Sequence, residues 1–209
     1  MNQTLCFGAD GGCLDSFYLF KELYPDQKIS FLSNDHERGE TLYDSYIQGP
    51  FEEILNIKEE YNFIYQCGSV LNHKSRDSWF IKAVDNGLRP ISLISSFSYV
   101  HSSAEIGSGS IIYPGVKIMP NVKIGINTII LPNSVINHDA IVDDFSIINS
   151  SCVINGSVSI GKKCYLGSNT SIKEKVKISD EITVGMNSMI LSNIAQKGIY
   201  FGSPVKKRI

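Results

Sequence analysis

Beginning at Ile94, an aliphatic residue recurs at every sixth position without a miss, through Val100, Ile106, Ile112, Ile118 and Ile124 to Leu166, Ile172, Ile178, Val184 and Ile190. Four places after each stands a small or β-branched residue, from Ser98 and Ala104 through Ser134, Ala140, Cys152 and Cys164 to Ile182 and Ser188. Amphipathic strands alternate with period two and do not hold a six-residue phase for so long. The pattern instead specifies a parallel β-helix, in which three short flat faces make one triangular coil of roughly 18 residues. Each aliphatic side chain then points into the prism and stacks on its equivalents above and below. At about 1.5–3 kcal/mol per buried side chain, that column is the main folding drive. Glycine follows the aliphatic position at Gly107, Gly125, Gly161, Gly167 and Gly185, where a tight corner is expected to need a permissive backbone. Gln196 ends the phase, and residues 191–209 are expected to leave the coils and cover their open end.

Before the repeat, apolar runs alternate with helix-like stretches. Thr4 to Phe7, Lys28 to Leu32 and Asn62 to Gln66 read as strands, and Cys13 to Tyr24 and Ser75 to Asn86 as helices. The expected organisation is therefore α/β plus all-β: a small Rossmann-like domain over residues 1–90, then a β-helix with a C-terminal cap over residues 91–209. Strand, glycine turn, helix and strand resemble half of a doubly wound nucleotide-binding fold, too short for a dinucleotide. Gly11 and Gly12 would offer helix-terminal N–H groups to phosphate. Asn34 and Asp35, and Gly68, stand at the ends of the next strands, so a single nucleotide, as in a nucleotide-sugar, is the expected ligand.

The 19 Lys and Arg against 21 Asp and Glu give a net charge of -2, without the basic excess of a nucleic-acid binder. Neither a secretion signal nor an apolar run of membrane-spanning length is found, so a cytoplasmic location is expected. Cys6, Cys13, Cys67, Cys152 and Cys164 contain no CxxC pair, and free thiols are expected.

Two histidines, His101 and His138, lie in the repeat region. They are too few for a three-histidine metal site, so no metal is expected. His138 falls between an inward aliphatic and an inward small residue, which puts it at an outward corner as a candidate base with Asp139 to orient it. One coil further stands Gly156, a candidate N–H donor to the oxyanion of a thioester. Gly167 and Gly185, also one coil apart, would leave a smooth groove for a long thin ligand. Cys152 and Cys164 occupy the inward column and are expected to be inert.

Asn137-His138-Asp139-Ala140, Asp144-Phe145-Ser146, the run from Gly156 to Gly161, and the run from Phe201 to Lys206 together resemble the bacterial sugar acetyltransferases of surface-glycan and sialic-acid pathways, members of the left-handed β-helix, hexapeptide-repeat superfamily. The resemblance implies left-handed coils and a cytoplasmic homotrimer with active sites between subunits. It also implies His138 as general base with Asp139 beside it, and acetyl-CoA with its carbonyl on Gly156. Pantetheine would lie near Gly167, Ser168, Gly185 and Met186, the adenine end near Pro204, and the phosphates near Lys206. The nucleotide-sugar would lie against Gly11, Gly12, Asn34, Asp35 and Gly68. Many relatives carry histidine where this chain has Gly12 and Ile147.

The expected activity is acetyl-CoA-dependent N-acetylation of a dTDP- or UDP-linked amino-deoxysugar, as in lipopolysaccharide or O-antigen biosynthesis. The alternatives are O-acetylation of a sialic-acid-like sugar by the same site and a non-catalytic β-helix binding protein.

Overall fold

The computed structural model describes residues 3–9, 11–57, 61–66 and 73–208; the expected contact Gly68 lies outside them. Six strands, β1 (Thr4–Phe7), β2 (Ile29–Leu32), β3 (Thr41–Leu42), β4 (Ser45–Gly49), β5 (Asn62–Tyr65) and β6 (Arg89–Pro90), form one sheet in the order β3-β4-β2-β1-β5-β6. Every pair is parallel except β3 with β4. Successive side chains of a strand point to opposite faces. Cys6, Phe31 and Ile64 accordingly share a cluster with Cys13, Phe17 and Phe20 of helix α1 (Gly11–Leu23). Leu5, Phe7, Phe63 and Tyr65 share another with Phe80 and Ala83 of helix α2 (Asp77–Asp85). The strands and helices read from the sequence are present with ends moved by a residue or two. The short β3–β4 hairpin and the 3-10 helix Phe51–Asn56 were not legible there, being too brief to show a period.

From Leu93 onward, short strands recur every six residues, each pairing in parallel with the strand 18 positions on, as Ile111 with Ile129 and Ile129 with Ile147. They stack into three sheets, the faces of a prism. The first face begins at Leu93–Ile94, the second at Tyr99–Val100 and the third at Glu105–Ile106. Inward residues from Ile112 to Ile190 are buried, whereas Ile94 at the open first end is 38% exposed.

The corners correct one expectation. Gly107, Gly125, Gly161, Gly167 and Gly185 do not adopt positive φ. Gly107, Gly125, Gly161 and Gly167 are glycines because the next coil comes too close: a Cβ on Gly125 would lie 2.5 Å from the Asp144 nitrogen, and one on Gly167 2.4 Å from that of Met186. The left-handed residue stands two places later at Gly109 and Gly115, and then at Asn121, Asn127, Asn133, Asp139, Phe145 and their successors to Asn187. Left-handed backbone costs an ordinary residue roughly 1–2 kcal/mol. A hydrogen bond between coils offsets it: Asp139 N–H donates to Pro120 O at 3.0 Å, Ser157 N–H to His138 O at 2.9 Å and Lys175 N–H to Gly156 O at 3.0 Å.

The C-terminal expectation also needs correction. Gln196 cannot enter the apolar column, and the chain shortens its last coil instead of leaving the prism. Ile194 bridges Ile178, and Gly198–Gly202 pairs in parallel with Ile182–Val184 on the first face. Only Val205–Lys207 turns back, antiparallel, after the cis Ser203–Pro204 bond.

The outward residues Leu93, Ile111, Ile129 and Ile147 of the first face are buried in one apolar cluster with α1. Arg76, 2% exposed, ties the two regions, donating to Tyr65 O, Asn127 O and Oδ1, and Phe145 O. Among the outward residues of the second face, Tyr99, Lys117, Val153 and Ser171 are exposed and Val135 and Met189 half-buried.

Candidate active site

His138 sits on the corner between the second and third faces, directly before left-handed Asp139 (φ 59°). That backbone turns the Asp139 carboxylate back onto its neighbour, and Oδ2 lies 2.8 Å from His138 Nδ1. The second oxygen, Oδ1, accepts from Asn121 Nδ2 at 3.0 Å. The His138 bond first and the Asn121 bond second hold the Asp139 carboxyl below its ordinary value. An ionised carboxylate only accepts, so a neutral His138 ring paired with it carries its proton on Nδ1 and turns the Nε2 lone pair toward the space above Gly156.

Gly156 follows one coil on. A Cβ there would stand 2.6 Å from both Cε1 and Nε2 of His138, so the imidazole lies over a backbone with no side chain. Among the described residues the Gly156 N–H makes no hydrogen bond, which leaves it available to a ligand oxygen. An open cleft of about 390 Å³ surrounds these groups, lined by Asn137, His138, Asn155, Gly156, Ser157, Glu174 and Lys175. Three of these, Asn155, Glu174 and Lys175, were not singled out in the sequence. Adding one and then two coils to positions 137–139 would have found them.

His138, Asp139 and Gly156 are thus brought together. Gly167, Ser168, Gly185 and Met186 lie on a different corner, between the first and second faces, so the exposed second face separates the two groups. On that other corner Met186 is 76% exposed and Phe201 packs over Gly185, with 3.1 Å between Phe201 Cβ and the place of a Gly185 Cβ. Pro204 and Lys206 belong to the hairpin that follows Phe201. Gly11 and Gly12 open α1, with free space above Gly11. Asn34 and Asp35 follow β2, where Asn34 Oδ1 accepts the Phe51 N–H at 2.8 Å and Asp35 N–H donates to Ser33 Oγ at 3.2 Å. None of these N-terminal residues lines the His138 cleft.

Cys152 and Cys164 are buried in the inward column, their thiols donating to Gly167 O and Ser179 O. Burial pushes them up to about 11 and about 12. They do not reach the cleft. Among the described residues no helix is long and apolar enough to cross a membrane.

Comparison with known proteins fits this architecture. The family described as the GMPPB C-terminal domain matches residues 94–200. No curated protein sequence matches the chain. Among solved structures, the acetyltransferase domain of PglB from Neisseria gonorrhoeae superposes with a TM-score of 0.93 at 20% identity, covering 100% of both chains. Its complex with acetyl coenzyme A gives 0.91. Perosamine N-acetyltransferase from Caulobacter crescentus, solved with CoA and GDP-perosamine, gives 0.92 at 17% identity over 100% of this chain and 97% of that one. WeeI from Acinetobacter baumannii gives 0.91 at 19% identity over 100% of both. The likeness to the sugar acetyltransferases therefore holds for the fold along the whole chain.

Proposed function

The chain belongs to the family of the GMPPB C-terminal domain, and on that coiled scaffold we propose an acetyl-CoA-dependent N-acetyltransferase acting on the amine of a nucleotide-linked amino-deoxysugar in surface-glycan biosynthesis. The observation that carries the reading is the His138 ring, fixed at Nδ1 by Asp139 and laid over Gly156 at the mouth of an open cleft. A surface histidine without a role has no need of a glycine one coil away.

In this mechanism the sugar amine attacks the thioester carbonyl carbon while His138 Nε2 accepts the amine proton. Asp139 stabilises the resulting imidazolium, and the Gly156 N–H donates to the oxyanion of the tetrahedral intermediate. Collapse breaks the carbon–sulfur bond, the acetyl group stays on nitrogen, and the departing CoA thiolate takes the proton back from His138. A positioned base typically contributes about 10²- to 10⁴-fold, and an oxyanion donor a similar amount.

The separation of the two corners supports a homotrimer. A neighbouring copy packed on the exposed second face would bring its Gly167, Ser168, Gly185 and Met186 toward this chain's His138, with Pro204 and Lys206 at the far end of acetyl-CoA. Residues 1–90 would act as a Rossmann-like domain that holds the nucleotide at the C-terminal strand ends, against Gly11, Gly12, Asn34, Asp35 and Gly68. The acetyl-CoA bound by the PglB domain and the GDP-perosamine bound by perosamine N-acetyltransferase support this assignment of ligands. Purified protein incubated with acetyl-CoA and UDP-, dTDP- and GDP-linked amino sugars tests it. Acetylated sugar with release of CoA is expected, and the absence of product from every acceptor would refute it.

A further inference from the structure

Asn121 stands one coil before Asp139 on the same corner, and both adopt left-handed backbone, with φ of 62° and 59°. Asn121 Nδ2 donates to Asp139 Oδ1 at 3.0 Å, while Asp139 Oδ2 meets His138 Nδ1 at 2.8 Å. We propose that Asn121 is a positioning residue of the reaction, fixing the plane of the Asp139 carboxylate so that His138 presents Nε2 to the acceptor. The inference rests on the acetyl-transfer reading of the site.

Asparagine is common at left-handed corners simply because it tolerates positive φ, so its presence alone says nothing. What its amide does is informative. Asn137, Asn149 and Asn155, which are not at left-handed positions, spend their side-chain N–H on backbone carbonyls of the next coil, at 3.0, 2.7 and 2.7 Å. Of the left-handed asparagines, Asn127 donates to Tyr65 O and Gly109 O, while Asn169 reaches one coil on to Asn187 Oδ1 at 2.8 Å. Asn121 makes the same one-coil reach as Asn169, but its acceptor is the carboxylate that orients the base.

Asn121 is itself braced from below. Its N–H donates to Ser103 Oγ at 2.9 Å, and Ser103 Oγ lies 2.9 Å from His101 Nδ1, which also accepts the Ser103 N–H at 3.1 Å. A hydrogen-bonded chain therefore runs along one edge of the prism through His101, Ser103, Asn121 and Asp139 to His138. A carboxylate half in solvent, held at one oxygen alone, is free to swing. Held at both, it keeps the ring in one orientation.

Two variants test this. Asn121→Gly removes the amide and keeps the left-handed backbone; Asn121→Asp keeps the size, removes the donor and adds a charge. Both should lower kcat by about tenfold, the scale of one hydrogen bond to a charged group, while KM for acetyl-CoA stays unchanged. In Asn121→Gly the Asp139 carboxyl, followed by carbon NMR, should titrate at higher pH than in the native protein, because a donor to its charged form is gone. Glu174 and Lys175, the other charged groups of the cleft, are untouched by either change. Unchanged kcat overturns the proposal, as does an unmoved Asp139 titration, which would mark Asn121 as a corner residue only. Native protein that binds acetyl-CoA but acetylates nothing would sink the acetyl-transfer reading and this proposal with it. An active enzyme with an unmoved titration would sink the role of Asn121 alone.

Discussion

The imidazole of His138 occupies the space that a side chain at position 156 would require: a Cβ on Gly156 would lie 2.6 Å from both Cε1 and Nε2. Gly156→Ala should therefore displace the ring without unfolding the coil, since Gly156 does not need positive φ. Turnover should fall by about 10²-fold, the scale of a misplacement near 1 Å. Steady-state kinetics beside circular dichroism checks this; unimpaired turnover in a folded variant would mean that the ring position is not critical.

His138→Ala should lower kcat by about two to four orders of magnitude and leave acetyl-CoA affinity nearly unchanged, because a base acts chiefly in the transition state. The same variant removes the principal group holding the Asp139 carboxyl below its ordinary value. Asp139 should then titrate at higher pH, observable by carbon NMR. A depressed carboxyl supports the fold above its ordinary value and loses that support as pH falls through its lower native value, so His138→Ala should be slightly less stable than native protein near neutral pH, with the difference vanishing in acid.

Burial raises the Cys152 and Cys164 thiols to about 11 and about 12 from 9.0. A thiol raised in the folded protein leaves stability whole below the ordinary value and erodes it as pH climbs through the folded value. Tm should accordingly drop between about pH 9 and pH 12, and less steeply in Cys152→Ala and Cys164→Ala. Both variants should remain active. Loss of acetylation in either, with the fold intact, would point to a covalent route.

Arg76→Met should destabilise the protein by about 2–4 kcal/mol, because it removes a buried donor set from the Asn127 and Phe145 oxygens. Chemical denaturation measures this. A change within experimental error would show that the tie between the sheet and the coils is replaceable by apolar packing.

The sequence revealed the coils because one aliphatic column, Ile94 to Ile190, has to be filled at every step to close the prism. It also pointed to the His138 corner, because position within the hexad decides whether a side chain faces in or out. The left-handed positions were hidden. Phe145, Lys163, Lys175 and Glu181 occupy them alongside asparagines, and what permits this is a backbone hydrogen bond to the coil before, which residue type does not betray. The role of Gly125 and Gly167 was misread for the same reason, since close approach of a neighbouring coil depends on stacking. The last coil shortens because Ile194 replaces Gln196 in the wall, a substitution of register visible only once the strands are paired. Asn121 was within reach: one coil subtracted from Asp139 arrives at it.

The central claim is that His138 drives acetyl transfer from acetyl-CoA to a sugar amine. Mass spectrometry of a panel of nucleotide-linked amino sugars, incubated with acetyl-CoA and either native protein or His138→Asn, tests it most directly. The account predicts that at least one acceptor gains an acetyl group with native protein and that the yield collapses with His138→Asn, which keeps acetyl-CoA binding. Equal product from both proteins, or none from native protein that binds acetyl-CoA, would contradict it.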